Sequence, residues 1–544
     1  MKIGKRIDRD VSPKPAPQKH NLIEECWIPV LRKSGETVLV KPGTIASSDL
    51  VRPMWPRADL DTNCLEFLIG LVYIACPPAD RKAWLDGFKS PPDLNATFAR
   101  LVPAFNLLGE GPRFMQDPDA GAFTAQLAAF ERDEAKGRTA NHLDILFFDC
   151  AGVKTTINNA DILSWRGRYE RDGELDRGMA AMALFGMQTQ APSGGAGNRV
   201  SLRGGGPLVT LVDPGTDSLW DLVWANVPYG RPLADLQDLP WMRSDRRHGT
   251  VHAPTSDGDT VHAEALFGMP RRFRLIDGDM GIRAAMQVPN GNDYGVWRHP
   301  LTPYYRSKGD ISPVLAARSG GGYRNWVGAV LATEDHIPAQ TVLRWRQDRP
   351  RDDFRLLLSG WKMDRAMPIS FLLSEQPFTD GDLDHEDDIL DLIEAAAHAC
   401  RAICLAIRKS IDIPANCEEN SKSILYGVGS DKEALRGAWG VKAYQDFYQL
   451  SENLFRRRIQ EMRGKGKAAI AQTWLADLRN IATTIFDRYV TGEIHRMTMT
   501  RRKLAVQNHR ALVAVMAGYG KAGAKIYQLL GLEVPVSART RSAA

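Results

Sequence analysis

The sequence predicts an α+β fold in which a large, irregular mixed N-terminal domain precedes a C-terminal four-helix bundle. Short β-rich runs alternate with helical stretches as far as about residue 374, whereas the remainder carries long segments with apolar residues at helical spacing. At 544 residues the chain is too long for one ordinary hydrophobic core. Its 44% hydrophobic and 25% charged residues are average for globular proteins, which argues against a wholly disordered, collagen-like or membrane protein.

The mixed N-terminal domain contains candidate strands separated by candidate helices. The β-rich runs that predict strands lie at 37–40, 208–212, 273–276 and 341–345. Apolar residues at helical spacing predict helices at 61–74 and 179–187. Several long loops connect these elements, and loops of such length usually carry function or are disordered.

The C-terminal part contains four long candidate helices. Their apolar residues recur at helical spacing over 387–410, 431–463, 469–491 and 495–530. Connections that are mainly short predict a bundle. Glu386, Asp387 and Asp388 stand at the start of the first helix, where carboxylates favour the positive end of the helix dipole. Gly531 is the expected stop of the last helix.

The predicted domain order has four parts. We expect a flexible arm over 1–20, an α+β domain over 21–376, a linker over 377–386 and the bundle over 387–544. The arm lacks the apolar stretch of a secretory signal. Pro377, Gly381 and clustered acidic residues mark the linker.

Charge is distributed unevenly along the chain. Residues 401–544 hold 24 Lys or Arg against 12 Asp or Glu, although the whole chain has a net charge of only +5. This polarity indicates a polyanion or an acidic partner, or a solvated basic face. The seven scattered cysteines are typical of a reducing cytoplasm, and no apolar run is long enough to span a bilayer.

A glycine-rich segment over 188–207 combines six glycines with Arg199 and Arg203. Glycine permits positive φ and close approach of another backbone or a nucleic-acid groove. Beside arginines, such a segment favours an anion or nucleic-acid contact. A long surface loop whose glycines only form turns is the alternative.

Signatures of catalysis are missing from the sequence. It contains no Gly-x-x-x-x-Gly-Lys-Ser/Thr, His-Glu-x-x-His or Gly-x-Ser-x-Gly, so no catalytic residue, metal or cofactor is predicted. The acidic string from Asp384 to Asp388 is a candidate metal-dependent nuclease cluster, or a set of helix-end charges. Cys400 and Cys404 are interpreted as buried thiols, because a zinc site normally needs four ligands.

Basic residues occur in two further places. Lys362 and Arg365 fall in an apparent turn after a strand-like run at 355–358. A second cluster leaves a helix and enters two glycines, and we expect it to contact phosphates and guide DNA. Its members are Arg456, Arg457, Arg458, Arg463, Lys465 and Lys467.

Several short motifs follow one another in the order of a known family. They are Asn-Leu-Ile-Glu-Glu-Cys-Trp-Ile-Pro-Val at 21–30, Phe-Met-Gln at 114–116, Ala-Leu-Phe at 183–185, Gln-Ala-Pro at 190–192, Leu-Arg-Gly-Gly at 202–205, Trp-Arg-His-Pro at 297–300, and Phe447-Tyr448 with Glu452. The chain resembles the CasA family, the large subunit of the type I-E CRISPR Cascade complex. The similarity runs from about residue 21 to the end.

This resemblance implies a non-catalytic subunit of an RNA-guided antiviral surveillance complex. It implies recognition of the protospacer-adjacent motif in the minor groove of double-stranded DNA, strand separation and R-loop formation, and a docking surface for the helicase-nuclease effector. The implied partners are target DNA, the 5′ handle of the guide RNA, the backbone, small and handle-binding subunits of Cascade, and the effector. The resemblance also implies a cytoplasmic location and no membrane partner.

The resemblance also assigns the DNA-contacting positions. The family's glycine loop falls on Gly194, Gly195, Gly197, Asn198 and Arg199, with Gly197 against the motif. A backbone without Cβ reaches base edges in a narrow groove.

The family's strand wedge falls on 360–366 and involves Lys362, Asp364 and Arg365. Arg365 stands where the family has a glutamine, and a side chain inserted between base pairs stabilises the unstacked duplex.

Two implied sites keep alternatives. The loop near 141–149 would meet the guide-RNA handle, where Phe147 or Phe148 stacks on a base or is buried. The family's lysine finger corresponds to Arg283 or Arg274. Because 277–292 lacks cysteine, the zinc site of some family members is not expected. A nuclease and a purely structural scaffold remain the rival functions.

Overall fold

The computed structural model describes most of the chain, in two compact units. The described residues are 19–136, 143–147, 170–171, 173–194, 197–230, 234–243, 250–251, 262–294, 297–307, 309–316, 321–349, 351–364, 367–411 and 438–535. Unit 1 comprises Met1–Gly205 and Asp217–Arg298, and unit 2 comprises Gly206–Thr216 and His299–Ala544. The chain therefore leaves unit 1, returns to it and leaves again.

Strands and helices alternate in the first two thirds, and helices fill the last third. The strands are β1 His20–Asn21, β2 Ile28–Arg32, β3 Thr37–Val40, β4 Leu50–Pro53, β5 Asn106–Leu108, β6 Glu170–Arg171, β7 Glu174–Leu175, β8 Val209–Asp213, β9 Thr250–Val251, β10 Arg272–Asp277, β11 Ile282–Val288, β12 Asp293–Tyr294, β13 Tyr304–Ser307, β14 Asp310–Pro313, β15 His336–Ile337, β16 Phe354–Asp364 and β17 Met367–Phe378. The helices are α1 Ala58–Ala75, α2 Arg81–Gly87, α3 Leu94–Phe98, α4 Thr124–Glu134, α5 Arg177–Thr189, α6 Leu219–Trp224, α7 Ala263–Phe267, α8 Gln340–Asp348, α9 Glu386–Ser410, α10 Ala438–Met462, α11 Ala471–Tyr489, α12 Met499–Met516 and α13 Gly520–Leu529, with one interrupted turn at Trp326–Ala329. Among the described helices, none is long and apolar enough to cross a membrane.

Helix α1 is the centre of unit 1. Nearly all of its residues are buried, both the apolar ones and the polar Thr62, Asn63 and Glu66. Phe67 in this helix makes edge-to-face contacts with five aromatic rings at centroid distances of 5.5 to 6.4 Å. The partner rings are Trp27, Phe105, Phe114, Phe185 and Phe267.

The β10–β11 hairpin forms the largest sheet of unit 1. The two strands pair antiparallel from Arg272 opposite Val288 to Asp277 opposite Ile282, and β7 and β6 extend the sheet on the β11 side. Phe123 and Phe130 pack on the apolar residues of β11. The hairpin is thus anchored on the core, and its open end is held in place.

Unit 2 combines a three-stranded sheet with the C-terminal helices. Strand β16 pairs with β17 on one side and with β8 on the other. Strand β8 lies in Gly206–Thr216, the first segment of unit 2. Gly360 in β16 has φ +154°, and a Cβ there would collide with the carbonyl oxygen of Pro207. Helix α9 packs against α10, α11, α12 and α13.

The α+β fold class is confirmed, and most predicted elements of the N-terminal part lie within a few residues of observed ones. The exception is the strand predicted at 341–345, which is wrong because this segment is helix α8. Its β-branched and aromatic residues favour a strand locally, but Thr341, Val342 and Trp345 are buried together at helical spacing. Burial of one helical face decides between the two conformations.

The last predicted helix, 495–530, is also wrong as a single element. The chain breaks between α12 and α13 at Gly518 and Gly520, which have φ +93° and +72°. Gly531 follows α13 with φ +67°, as a helix stop requires. The predicted linker at 377–386 lies within unit 2, and most of the predicted arm lies outside the described residues. The predicted domain boundaries and the four-helix bundle stay predictions.

Candidate nucleic-acid interface

The glycine loop, defined here as residues 192–199, follows helix α5 on the surface of unit 1. It closes on itself through a hydrogen bond of 3.1 Å from the Gly194 amide to the Asn198 carbonyl. Ser193 and Gly194 are exposed, and Asn198 and Arg199 are half-exposed. Gly195 lies outside the described residues. Its exposed described residues, Ser193 and Gly194, are small.

The β10–β11 hairpin holds one side of the glycine loop. The Asn290 amide donates to the Gly197 carbonyl at 3.0 Å. Gln287 Nε2 in β11 donates to Asn198 Oδ1 at 3.0 Å. These two bonds fix the half of the loop that the family resemblance assigns to the motif.

Arg271, which lies just before β10, holds both ends of the loop. Its Nη2 donates to the carbonyl oxygen of Pro192, and its Nε donates to that of Arg199 at 2.9 Å. Burial lowers the pKa of Arg271 to about 10, so the side chain is still charged at neutral pH. Gln188 binds the Arg271 backbone through both amide atoms, at 3.0 and 2.9 Å.

Gly197 occupies a position that only glycine fits. Its φ of +82° lies in the left-handed region that residues with a Cβ disfavour. A Cβ there would lie 2.9 Å from the Asn290 amide nitrogen and 3.0 Å from Pro289 Cβ. The loop can approach the hairpin this closely because Gly197 lacks a side chain.

Arg203 does not contact an anion from solvent, contrary to the expectation for the glycine-rich segment. Its Nη2 lies 2.7 Å from Glu66 Oε2, and both side chains are 1% exposed. Gln190 Nε2 donates to Asn63 Oδ1 at 2.7 Å beside this pair. The buried carboxylate of Glu66 needs such a partner, because an unpaired buried charge is costly. Arg203 therefore anchors the segment to the core.

Arg199 remains on the surface. Its Nη1 lies 3.2 Å from Asp293 Oδ2, and the two side chains are 40% and 47% exposed. Exposed pairs of this kind contribute little to stability. The Arg199 guanidinium is thus able to exchange this carboxylate for a phosphate at small cost.

The predicted wedge lies at the end of the wedge hairpin, formed by β16 and β17. The strands are paired as far as Asp364 opposite Met367. The prediction that Lys362 lies in the turn is wrong, because Lys362 belongs to β16 and pairs with Ser370. Gly360 lies within β16, at a point where the Pro207 carbonyl oxygen comes too close for a residue with a Cβ. Arg365 lies outside the described residues, as does the side chain of Asp364.

The charge of Lys362 is perturbed. Burial, and then the neighbouring charge of Arg324, lower the pKa of Lys362. The Arg324 guanidinium itself lies over the rings of Tyr444 and Tyr448, 5.6 and 5.1 Å from their centroids. Lys362, two residues before the end of β16, therefore has a second basic side chain, Arg324, as a neighbour.

Most of the predicted DNA-guiding cluster is engaged within the protein. Arg458 is 7% exposed, and its Nε lies 2.7 Å from Asp477 Oδ2, while its Nη1 binds Glu461. Arg463 Nε lies 2.9 Å from Asp382 Oδ1. The expectation that these residues are surface phosphate contacts is wrong, because they are ion pairs between elements.

Arg456 and Lys467 are engaged in the same way. Arg456 Nε donates to Glu452 at 3.0 Å, and its Nη2 binds Gln376. Lys467 Nζ pairs with Asp388 and Asp391.

Only two members of the predicted cluster are exposed. Arg457 is 69% exposed and pairs with Glu461 one turn further along the same helix. Lys465 is exposed in the turn after α10. For these two side chains, the guidance of DNA stays a prediction. Charge run and helix position alone do not distinguish exposed from buried arginines.

The acidic string at the start of α9 forms separate ion pairs. Asp384 lies 3.1 Å from Arg351, Glu386 binds Arg346, and Asp388 accepts from the Lys467 amide at 2.8 Å. Within the ranges that the structure describes, no group of three His, Cys, Asp or Glu side chains converges as metal ligands do. Cys400 and Cys404 are buried thiols, as predicted.

Phe147 is not available for base stacking. The ring is 3% exposed, and the Arg57 guanidinium lies over it at 4.9 Å. Of the two alternatives for Phe147, burial is the observed one, and its neighbour Leu146 is buried as well. Phe148 lies outside the described residues.

Both finger candidates make intramolecular contacts. Arg274 Nη1 donates to the Asp117 carbonyl at 3.1 Å, and burial lowers its pKa. Arg283 Nη1 lies 2.6 Å from Glu134 Oε1. The choice between them stays open.

The Phe-Met-Gln motif has a structural role. Phe114 stacks on Phe105 in the core of unit 1. Gln116 Nε2 donates to the Leu107 carbonyl at 2.8 Å, and its Oε1 accepts from the Leu275 amide at 2.9 Å. The motif thus links β10 to β5.

Sequence reasoning missed the residues that hold the loop, namely Arg271, Gln287 and Asn290. The only signal for Asn290 was the Asn-Gly dipeptide with Gly291 at a strand end, which is typical of a turn. Nothing in the sequence indicated that Arg271 binds loop carbonyls.

Comparison with known proteins identifies the family. The family model described as CRISPR-associated protein Cse1 matches residues 21–485, which is most of the chain. The chain belongs to the Cse1 family. This confirms the resemblance to CasA, the large subunit of Cascade.

Solved Cse1 structures share the fold of this chain. CasA of Thermus thermophilus is similar with a TM-score of 0.63 at 16% identity, over 94% of this chain and 100% of that one. Thermobifida fusca Cse1 is similar with a TM-score of 0.61 at 15% identity, over 94% and 98%. A chain of a CRISPR RNA-guided surveillance complex gives 0.63 at 16% identity, over 91% and 99%.

Proposed function

We propose that this Cse1-family chain is the non-catalytic large subunit of a cytoplasmic, RNA-guided Cascade complex, and that its glycine loop recognises the protospacer-adjacent motif in the minor groove of double-stranded DNA. The wedge hairpin promotes strand separation and R-loop formation. The chain contacts the 5′ handle of the guide RNA and the other Cascade subunits, and it offers a docking surface for the helicase-nuclease effector.

The observation that carries this proposal is the clamped glycine loop. Two side chains, Arg271 and Gln287, and the Asn290 backbone amide fix its path, while Ser193 and Gly194 are exposed. A narrow groove with a degenerate base code suits a reader that is thin and rigid. Rigidity also reduces the entropy lost on binding.

The wedge hairpin supports strand separation. Its two long strands are paired to within two residues of each other, so that a side chain at position 365 would be carried on a stiff support. Arginine can stack on an unpaired base and donate hydrogen bonds to it.

The test is binding of the assembled complex to duplexes with and without the motif. We expect Gly197→Asp to abolish motif discrimination, because a side chain there displaces the loop and adds a negative charge beside the phosphates. Gly35→Asp is the matched control, because Gly35 has a similar φ of +87° with open space around its Cβ position. The control is expected to bind like the wild type.

Strand opening is tested separately with Arg365→Ala. We expect slower R-loop formation, measured by the fluorescence of a base analogue next to the motif. Initial binding should be nearly unchanged. Equal binding of wild type and Gly197→Asp to both duplexes would instead support a purely structural scaffold.

A further inference from the structure

Asn290 is an exposed polar residue held directly against the glycine loop. It follows Pro289 at the end of β11, and both residues are exposed. Its φ of +62° is the left-handed conformation, which is uncommon for a residue with a side chain. The hydrogen bond from its amide to the Gly197 carbonyl fixes this conformation.

Its two chain neighbours restrict Asn290 further. Pro289 has a fixed φ. Gly291 lies so close to Pro270 that a Cβ would collide with the Pro270 carbonyl oxygen. The backbone of Asn290 is therefore set by its surroundings on both sides.

The side chain of Asn290 lies beside the loop backbone. Its Oδ1 is 2.7 Å from the position that a Cβ of Gly197 would occupy. The missing side chain of Gly197 thus makes room for the amide of Asn290. Among the described residues, none forms a hydrogen bond with the side-chain amide of Asn290.

The other polar side chains around the loop already have partners. Gln287 donates to Asn198, Arg199 pairs with Asp293, and Arg271 is buried against loop carbonyls. Asn290 differs from them because its amide is both exposed and uncommitted within the described structure.

An asparagine amide matches the chemistry of the minor groove. Its Nδ2 donates to adenine N3 or thymine O2, and its Oδ1 accepts from the guanine amino group. Minor-groove proteins use asparagine and glutamine in this way.

We propose that Asn290 is a specificity-determining residue, whose side-chain amide contacts a base edge of the motif next to the backbone of Gly197. This inference rests on the proposed function of the glycine loop. The loop then supplies shape, and Asn290 supplies the hydrogen-bonding group that distinguishes bases.

The experiment compares wild type, Asn290→Gly and Asn290→Asp in the assembled complex, with duplexes that carry every base pair at each motif position. Asn290→Gly keeps the left-handed backbone and the amide bond to Gly197, so the loop stays in place. We expect Asn290→Gly to lose discrimination about tenfold at one base-pair position, a loss that corresponds to about 1.4 kcal/mol.

The two variants separate the donor from the acceptor. Asp keeps an acceptor but loses the donor. If the amide donates to adenine or thymine, Asp loses as much discrimination as Gly, and if it accepts from guanine, Asp keeps the preference for guanine. Either result supports the inference, provided that Asn290→Gly loses discrimination.

Asp217→Gly is the matched control, because Asp217 is another exposed non-glycine residue with positive φ, +51°. It is expected to keep the wild-type base preferences. Wild-type preferences in Asn290→Gly at every position would overturn the inference alone. A wild-type complex that binds motif and non-motif duplexes equally would instead overturn the proposed function of the loop.

Discussion

At the scale of single residues, burial rather than charge decides what the arginines of unit 1 do. Arg199 and Arg203 stand four positions apart in one glycine-rich segment, yet Arg199 is on the surface and Arg203 is paired with Glu66 in the core. Glu66 gave a usable signal, since an acid within the apolar run of α1 requires a buried cation. Sequence spacing did not reveal which arginine would satisfy it.

Asp61 in the first turn of α1 predicts an unusual dependence of stability on pH. Burial raises the pKa of Asp61 to about 7, while its Oδ1 accepts the Trp55 amide at 2.7 Å. The folded state therefore binds the proton more tightly than the unfolded state, whose pKa is about 4. Stability falls as the pH rises from about 4 to 7, and the full penalty is present above 7.

Asp61→Asn removes this penalty and keeps an oxygen for the Trp55 amide. We expect the variant to be more stable than the wild type, with a gain about 2 kcal/mol larger at pH 8 than at pH 5. Chemical denaturation of the full chain at the two pH values measures it. A gain that is equal at both would contradict the assignment to Asp61.

At the scale of elements, ion pairs join the C-terminal helices to each other, and hydrogen bonds join them to the wedge hairpin. Arg458 connects α10 to α11 through Asp477, and Arg456 connects α10 to the end of β17 through Gln376 and the carbonyl oxygen of Pro377. These contacts use the basic residues that the sequence suggested for DNA.

Neighbouring arginines on α10 provide a direct comparison. We expect Arg458→Ala to destabilise the chain by about 3 kcal/mol, since it leaves Asp477 without its buried partner. Arg457→Ala should leave stability unchanged, because its side chain is mostly exposed. In the assembled complex, Arg457→Ala should weaken DNA binding equally for all sequences and reduce the slope of log K against log salt. A larger loss of stability for Arg457→Ala than for Arg458→Ala would refute this division.

The elements also show how much of the fold could be predicted from the sequence. Long periodic helices such as α1, α5 and α9 were predictable, because burial of an apolar face repeats over many turns. Helix α8 was not, since its nine residues have strand-like composition. At the site, the glycine-rich segment was visible in the sequence, and the resemblance assigned its role. Arg271 and Gln287 bind the loop from positions distant in sequence, and single-sequence patterns carry no such long-range pairing.

At the scale of the whole molecule, unit 2 depends on a segment inserted into unit 1. Strand β8, in Gly206–Thr216, pairs with β16 over five residues from Arg355 to Ser359. Val209 and Leu211 of β8 are buried. A cut at the boundary between Arg298 and His299 therefore separates β16 from its partner.

We expect the fragment 299–544 to aggregate or unfold when it is produced alone, since β16 then presents an unpaired edge. Co-production with 1–298, which carries β8, should yield a soluble complex of the two fragments. Size-exclusion chromatography and circular dichroism measure both results. A monodisperse, cooperatively unfolding 299–544 would show that β8 is dispensable.

The way the glycine loop is clamped has a consequence for the evolution of motif preference. Arg271 and the Asn290 amide bind the carbonyl oxygens of Pro192, Gly197 and Arg199, groups that every amino acid possesses. Substitutions at exposed positions such as Ser193 and Arg199 leave these bonds intact. Under the proposed function, related chains are therefore free to diversify the surface that meets DNA while inheriting the same loop path, so that a change in the recognised motif need not be accompanied by compensating changes in the core.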